Sequence, residues 1–344
     1  MKKKLAIRVD SSSLIGGGHV YRCLYLARYF RKKGYEVLFI CKNLKGNLTK
    51  VIRENKFKIK LLPKKFNDTR NRNNQIFAAQ KQLEESEYLK KILINYKILV
   101  IDHYGINYIF EKNLNFEGKL IVISDFISEK HFCHTYINFH TSNKKKIQKQ
   151  LLNKKCQLLL GKKYVLTEAI QKKENNVKKI FKVRNNILLF FGTSDSKNYT
   201  YKILKLFHIN NFKKYNFIVL LGSNFNNEKK IVKIKKEFTS IRIIKKNINF
   251  SQFKDKIFFS IGVYSQSFFE KIFYSIPCVN LKILKKGFIS DEFDNLKFIR
   301  FIKKNDFRKI IKFSKKIKNK KFNGRKIIDG QGAFRIFKKI NEQN

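Results

Sequence analysis

One histidine stands where acid–base chemistry is easily done. In the segment VDSSSLIGGGHVYRC, the glycines Gly16, Gly17 and Gly18 follow an apolar strand and run straight into a helical stretch carrying His19 and Arg22. Glycines at such a turn let the backbone come close to a ligand. A histidine in the first turn of a helix feels the positive end of the dipole, which favours neutral imidazole, the form a general base needs. The competing use of such a histidine is capping or packing the turn, and the strand-turn-helix context favours chemistry. Asp10, at the end of the strand, is placed to orient His19 or a substrate hydroxyl, or else to cap the loop. The spacing is not that of a GxGxxG dinucleotide fingerprint, and Cys41 stands where an acidic residue would close the second strand, so a nicotinamide cofactor is disfavoured.

Two further strand-to-helix turns have anion-binding character. FFGTSDSKNYT puts Gly192, Thr193 and Ser194 where free amides and hydroxyls can meet a pyrophosphate, with Asp195 or Ser196 alternatively capping the next helix. SIGVYSQSFFEKIFYSIP supplies Gly262, Ser265 and, on the following helix, Glu270, a carboxylate able to accept two hydrogen bonds from a ribose diol or simply to face solvent. IDHYGIN sets Asp102, His103 and Tyr104 at a strand end, where cleft residues collect. HFCH at 131 to 134 holds metal-ligand types without a second paired cluster, so no metal is assigned.

The elements that must carry these residues read as two βα series. LAIRV at 5 to 9, a helix from His19 to Lys33 and EVLFIC at 36 to 41 open the first. FKIKLL at 57 to 62, a helical region from about Gln75 to Tyr96, ILVID at 98 to 102 and LIVIS at 120 to 124 continue it. The second has NILLFF at 186 to 191, a helix from about Asn198, FIVLLG at 217 to 222, IRIIKK at 241 to 246, IFFSIG at 257 to 262, a helix from Ser267 to Tyr274 and CVNLKI at 278 to 283. Strands so rich in Ile, Val and Leu belong in parallel sheets covered on both faces, with ligands beyond their carboxyl ends. One or both of the polar intervals 138 to 155 and 171 to 186 are expected to form the interdomain connection. The expectation is an N-terminal domain over 1–155, bearing His19, and a C-terminal domain over 156–344, whose last helix packs back on the first.

Composition narrows the partners. The 344 residues hold 77 Lys and Arg against 25 Asp and Glu, a formal charge of +52. The lysines are spread along the whole chain with abundant Asn, Ile and Phe, which is the mark of A/T-rich coding rather than of a nucleic-acid platform, so no specific nucleic acid is expected. The excess draws anionic substrates such as nucleotide diphosphates. Five scattered cysteines without a CxxC pair fit free thiols in a reducing cytosol, so a cytoplasmic location is expected. No apolar run approaches a bilayer span, leaving only peripheral, electrostatic membrane contact.

Taken together, the motifs resemble the hydrolases of UDP-2,4-diacetamido-2,4,6-trideoxy-β-L-altropyranose in pseudaminic acid biosynthesis, a family related in fold to MurG-type glycosyltransferases. The opening pattern is carried by Arg8, Asp10, Ile15, Gly16, Gly18, His19, Arg22 and Cys23. Further elements are IDHYG, LLLGKKYVL, GTSDS, Glu270 with Pro277, and IDGQGAFRI. The resemblance implies a GT-B architecture of two Rossmann-like doubly wound domains facing a cleft. It implies UDP held at Gly192, Ser194, Asp195, Ser265 and Glu270, with Gly16 to Gly18, Arg22, His103 and Tyr104 on the sugar side. His19 with Asp10 beside it would activate water, and the sugar would be released with inversion, without metal or cofactor. Departures are numerous: Val263 to Gln266 replace a Gly-Gly-Ser-Thr turn, so Tyr264 adds bulk there. Ser124 replaces the first of an Asp-Asp pair, Thr167 stands where an Arg is common, and no Asn-Gln pair follows the strand in LKILKKGF. A GT-B glycosyltransferase of surface polysaccharide synthesis, or a non-catalytic protein binding a glycan-pathway partner or an anionic polymer, are the competing functions.

Overall fold

The computed structural model describes residues 2–67, 76–168, 185–209, 215–237, 240–245, 249–281, 291–293, 296–302, 306–318 and 320–342. The chain divides into two compact units: residues 1–167 with 284–292 and 331–344, and residues 168–283 with 293–330.

In the first unit, strands β1 (Lys4–Val9), β2 (Glu36–Cys41), β3 (Lys58–Leu61), β4 (Ile98–Asp102), β5 (Lys119–Ile123), β6 (Thr135–Asn138) and β7 (Gln157–Leu160) form one sheet. Its order is β3-β2-β1-β4-β5-β6-β7, and every neighbouring pair is parallel. Helices α1 (Gly18–Lys32), α2 (Thr49–Glu54), α3 (Ala79–Leu93), α4 (Tyr108–Leu114) and α5 (Lys144–Gln148) connect the strands. The apolar runs explain the burial: every residue of β4 is buried, as an all-parallel sheet with covered faces requires. One face packs Ala6, Leu99, Ile101 and Val122 against Leu89 and Leu93 of α3 and Phe110 of α4.

In the second unit, β8 (Asn186–Phe190), β9 (Asn216–Leu220), β10 (Ile241–Ile244), β11 (Ile257–Val263), β12 (Cys278–Leu281) and β13 (Ile299–Ile302) form a parallel sheet in the order β10-β9-β8-β11-β12-β13. Helices α6 (Tyr199–Ile209), α7 (Glu228–Glu237), α8 (Gln266–Phe273) and α9 (Phe307–Ile317) belong to it. Its core joins Ile187, Leu189, Phe207, Phe217, Phe259 and Phe313.

The final helix, α10 (Gly332–Asn341), is part of the first unit. Its Phe337 ring lies 5.2 Å from Phe30 and 5.6 Å from Tyr29 of α1, and Tyr35 Oη donates to Asn341 Oδ1 at 3.0 Å. Gly332 makes the approach feasible, since a Cβ there would fall 2.1 Å from the Val165 carbonyl oxygen.

Of the two candidate connections between domains, 138 to 155 is not one. β6 ends at Asn138 and β7 begins at Gln157 in the same sheet, so this polar stretch, with α5 inside it, is a crossover within the first unit. The other proposed connection, 171 to 186, lies almost wholly outside the described residues, as does the segment after β12 in which an Asn-Gln pair was sought. Among the described residues, no helix is long and apolar enough to cross a membrane.

Candidate active site

Both sheets reverse their strand order at one place, between β1 and β4 in the first unit and between β8 and β11 in the second. Connections leave such neighbours toward opposite faces, opening a crevice at their carboxyl ends. The singled-out residues gather at these two points.

At the first, the glycine turn is built by Ser12. Its carbonyl accepts from Gly16 N at 2.8 Å and its hydroxyl accepts from Leu14 N and Ile15 N at 3.2 and 3.0 Å. Gly16 has φ +85°, a left-handed conformation that glycine adopts without strain. No side chain caps α1 at Gly17, so none competes with a ligand for the first-turn amides there.

His19 is buried, and its Nδ1 lies 2.5 Å from Asp102 Oδ1, at the end of β4. Burial alone would raise the Asp102 carboxyl, but Arg22 and His19 outweigh it and hold it below the usual carboxylate range, so it is ionised and can only accept. His19 Nδ1 therefore donates to this carboxylate, and Nε2 is the ring nitrogen that lies outside the contact. Arg22 fixes this carboxylate through Nε at 2.6 Å and Nη2 at 2.5 Å, and Cys23 Sγ adds a contact at 3.3 Å. The same guanidinium reaches Asp125, beyond β5, through Nη1 at 2.7 and 3.0 Å. Asp125 also holds His140 Nε2 at 2.9 Å and accepts from the Tyr104 hydroxyl. Burial and the Asp125 carboxylate push the Tyr104 phenol well up, so it stays a donor. Its ring meets His19 edge-on, centroid to centroid 4.2 Å, and limits where the imidazole can turn.

A second buried network occupies the α3 side. Asp10 accepts from Arg8 at 2.6 and 2.9 Å, from the Lys42 amide at 2.7 Å and from His103 Nε2 at 3.0 Å. Arg8 Nε and Lys42 Nζ both reach Glu85 of α3, at 2.7 and 3.0 Å. Gly105 N donates to His103 Nδ1 at 2.8 Å, which assigns the ring proton to Nε2, and burial lowers the pKa of His103, so it is neutral.

These contacts correct the expected pairing of His19 with Asp10. Alternation along β1 sends Arg8 and Asp10 to the same face as Ala6, toward α3, whereas His19 rides on α1. The partner of His19 is Asp102. His103, expected on the substrate side, is likewise turned to Asp10. Arg22 and Tyr104 do join His19. Asp125, Glu85, Lys42 and His140 were not singled out. Asp125 immediately follows an apolar strand, a position that could have flagged it, but His140 follows a four-residue strand that leaves little signal.

At the second switch point, Gly192 takes φ +96° just after β8. Asp195 accepts from the amides of Tyr199 and Thr200 at 2.9 and 2.8 Å, so its carboxylate serves α6 as a cap instead of facing a ligand. Ser265 opens α8 without capping it, its hydroxyl 3.0 Å from that of Ser267, and Glu270 is half-buried on the same helix. The Tyr264 ring packs into Phe268, Phe293 and Phe301, with centroids 4.7, 6.1 and 5.4 Å away, so its bulk is directed into an aromatic cluster.

The two parallel sheets with their helices define a GT-B type α/β protein, and solved structures agree. Acinetobacter baumannii MurG matches with a TM-score of 0.64 at 9% identity, covering 99% of both chains. The pneumococcal O-GlcNAc transferase GtfA, solved with UDP and GlcNAc, matches with a TM-score of 0.61 at 10% identity, again over 99% of both. In sequence the chain is a divergent relative of the UDP-2,4-diacetamido-2,4,6-trideoxy-β-L-altropyranose hydrolase of Campylobacter jejuni, 28% identical over 70% of this chain and 77% of that one. It is also similar to an uncharacterised protein of Methanocaldococcus jannaschii, 30% identical over 72% of this chain, although the match spans only about half, 48%, of that protein. No family model matches.

Proposed function

We propose that the protein hydrolyses a UDP-linked 2,4-diacetamido-2,4,6-trideoxy sugar, releasing UDP and the free sugar for nonulosonic acid synthesis in the cytoplasm. The observation that carries this reading is His19, whose Nδ1 donates to Asp102 and whose Nε2 lies outside that contact, the nitrogen left for water. His19 Nε2 takes a proton from water. The water oxygen bonds to the anomeric carbon as the bond to the UDP oxygen breaks on the opposite face, which inverts the centre. Asp102 positions the imidazole and stabilises the imidazolium that forms, while Arg22, Asp125 and Tyr104 position Asp102 and the ring. The nucleotide lies with the second unit, where the turn at Gly192 and Ser194 and the start of α8 at Ser265 offer amides and hydroxyls to the diphosphate, and Glu270 meets the ribose. Metal and cofactor have no part in this scheme. The similarity to the Campylobacter hydrolase supports the substrate assignment.

The test is UDP release from the UDP-sugar, with the sugar product followed by NMR. Wild-type protein should release UDP and give the inverted free sugar. His19→Ala and Asp102→Asn should lose roughly 10²–10⁴ in kcat with little change in KM. Unchanged turnover in either variant would refute the assigned roles. The MurG and GtfA folds keep glycosyl transfer as the competing reaction, in which an acceptor hydroxyl replaces water, and UDP release that depends on added acceptor would establish it.

A further inference from the structure

Cys133 lies just ahead of β6 and Cys156 just ahead of β7, and these strands pair in parallel with Thr135 opposite Gln157. Their sulfurs are 3.6 Å apart. A disulfide bond is about 2.0 Å long, so the two side chains have a gap of about 1.6 Å to close between sulfurs already in contact. The turn before β7 holds the pair in place: Asn153 Nδ2 donates to the Cys133 carbonyl at 2.9 Å, and Cys156 N donates to the Asn153 carbonyl at 3.2 Å. Cys133 is buried and Cys156 is partly exposed. Cys23, Cys41 and Cys278 are all buried.

We propose that Cys133 and Cys156 form a redox modification site, closing to an intramolecular disulfide by exchange with a low-molecular-weight disulfide such as glutathione disulfide. Cys156, as its thiolate, attacks one glutathione sulfur. A bond forms between Cys156 and that sulfur, and the other glutathione leaves as thiolate. Cys133 then loses its proton to solvent and attacks the Cys156 sulfur, expelling the second glutathione. Two electrons pass to the oxidant, and both glutathiones end reduced. Burial pushes the Cys133 thiol well up, so it is a poor nucleophile toward reagents in solution and becomes effective only against a mixed disulfide held beside it. The bond falls at one edge of the sheet, where β7 pairs on one side only among the described residues. It would enclose β6, α5 and the segment that presents His140 to Asp125.

The experiment incubates the native 344-residue chain with excess glutathione disulfide, quenches in acid, alkylates in urea and maps the peptides by mass spectrometry. The expected result is loss of two of the five thiols, in one crosslink between Cys133 and Cys156, restored by dithiothreitol. Cys133→Ser should stop at glutathione on Cys156, and Cys156→Ser should show neither crosslink nor glutathione on Cys133. Three results overturn the proposal: five alkylated thiols, a wild-type reaction that stops at glutathionylated Cys156, or a crosslink through Cys23, Cys41 or Cys278. Because the wild-type chain carries the decisive measurement, a variant that fails to fold does not blunt it.

Discussion

The Asp102 carboxylate joins three side chains of α1, accepting from His19, Arg22 and Cys23. Around it the site is an account of charge. Burial would raise Asp10, Asp102, Asp125 and Glu85, yet neighbouring arginines and histidines or Lys42 hold all four below the ordinary carboxylate range. A depressed carboxylate contributes stability above its unfolded pKa, near 4, and that contribution is lost as pH falls further. His103 acts earlier. Burial lowers its folded pKa below the unfolded value of about 6.5, so its contribution is complete above about 6.5 and is lost as pH falls from there toward the folded value. Urea midpoints measured against pH should therefore fall in two stages, one starting near 6.5 and one near 4. His134 is lowered by burial as well and shares the first stage, so His103→Gln, which keeps a donor for Asp10, should shrink that stage by up to about 1.4 kcal/mol for each pH unit it spans and leave the second. An unaltered first stage would show that His103 is not its source. At this scale the sequence was legible where partners are local. His19, Arg22 and the glycines share one turn. The roles of Asp102, Asp125 and His140 depend on which strands lie side by side, and no spacing along the chain reveals that.

At the scale of elements, the long apolar runs were readable as strands and the turns after β1, β8 and β11 fell where expected. Strands β6, β7 and β13 were not read: TYIN, QLLL and IRFI are four residues each and carry too short a period to stand out. Helix α9 is so lysine-rich that only Ile310, Phe313 and Ile317 mark its buried face. Close packing between β9 and the Gly192 turn gives a prediction. A Cβ on Gly222 would stand 2.3 Å from Thr193 Cα and 2.4 Å from its carbonyl oxygen, both backbone atoms with little room to yield. Gly222→Ala should destabilise the protein by roughly 1–3 kcal/mol and weaken UDP binding in calorimetry, because the 192–194 turn must shift. Gly34→Ala is the comparison. Gly34 has φ +86° but open space around its Cβ position, so the cost there is backbone strain alone, about 1 kcal/mol, with UDP affinity intact. Equal losses of affinity would separate the 192–194 turn from the nucleotide.

For the whole molecule, the +52 charge is a field rather than a site. It raises the encounter rate of any dianionic diphosphate, and salt screens it over a Debye length of about 10 Å at 0.1 M. The value of kcat/KM for the UDP-sugar should fall by roughly tenfold between 0.05 and 0.5 M NaCl while kcat holds, and a flat salt profile would remove steering from the account. The chain path has another outcome. Residues 331–344 belong to the first unit, although the whole second unit is strung between them and residue 167. During synthesis the hydrophobic flank of α1, with Phe30 and Tyr35, must wait uncovered until the second unit has been made and α10 leaves the ribosome. The unit that carries His19 is thus begun before the second unit and completed after it, and nascent chains stalled before residue 331 should depend on chaperones through that face.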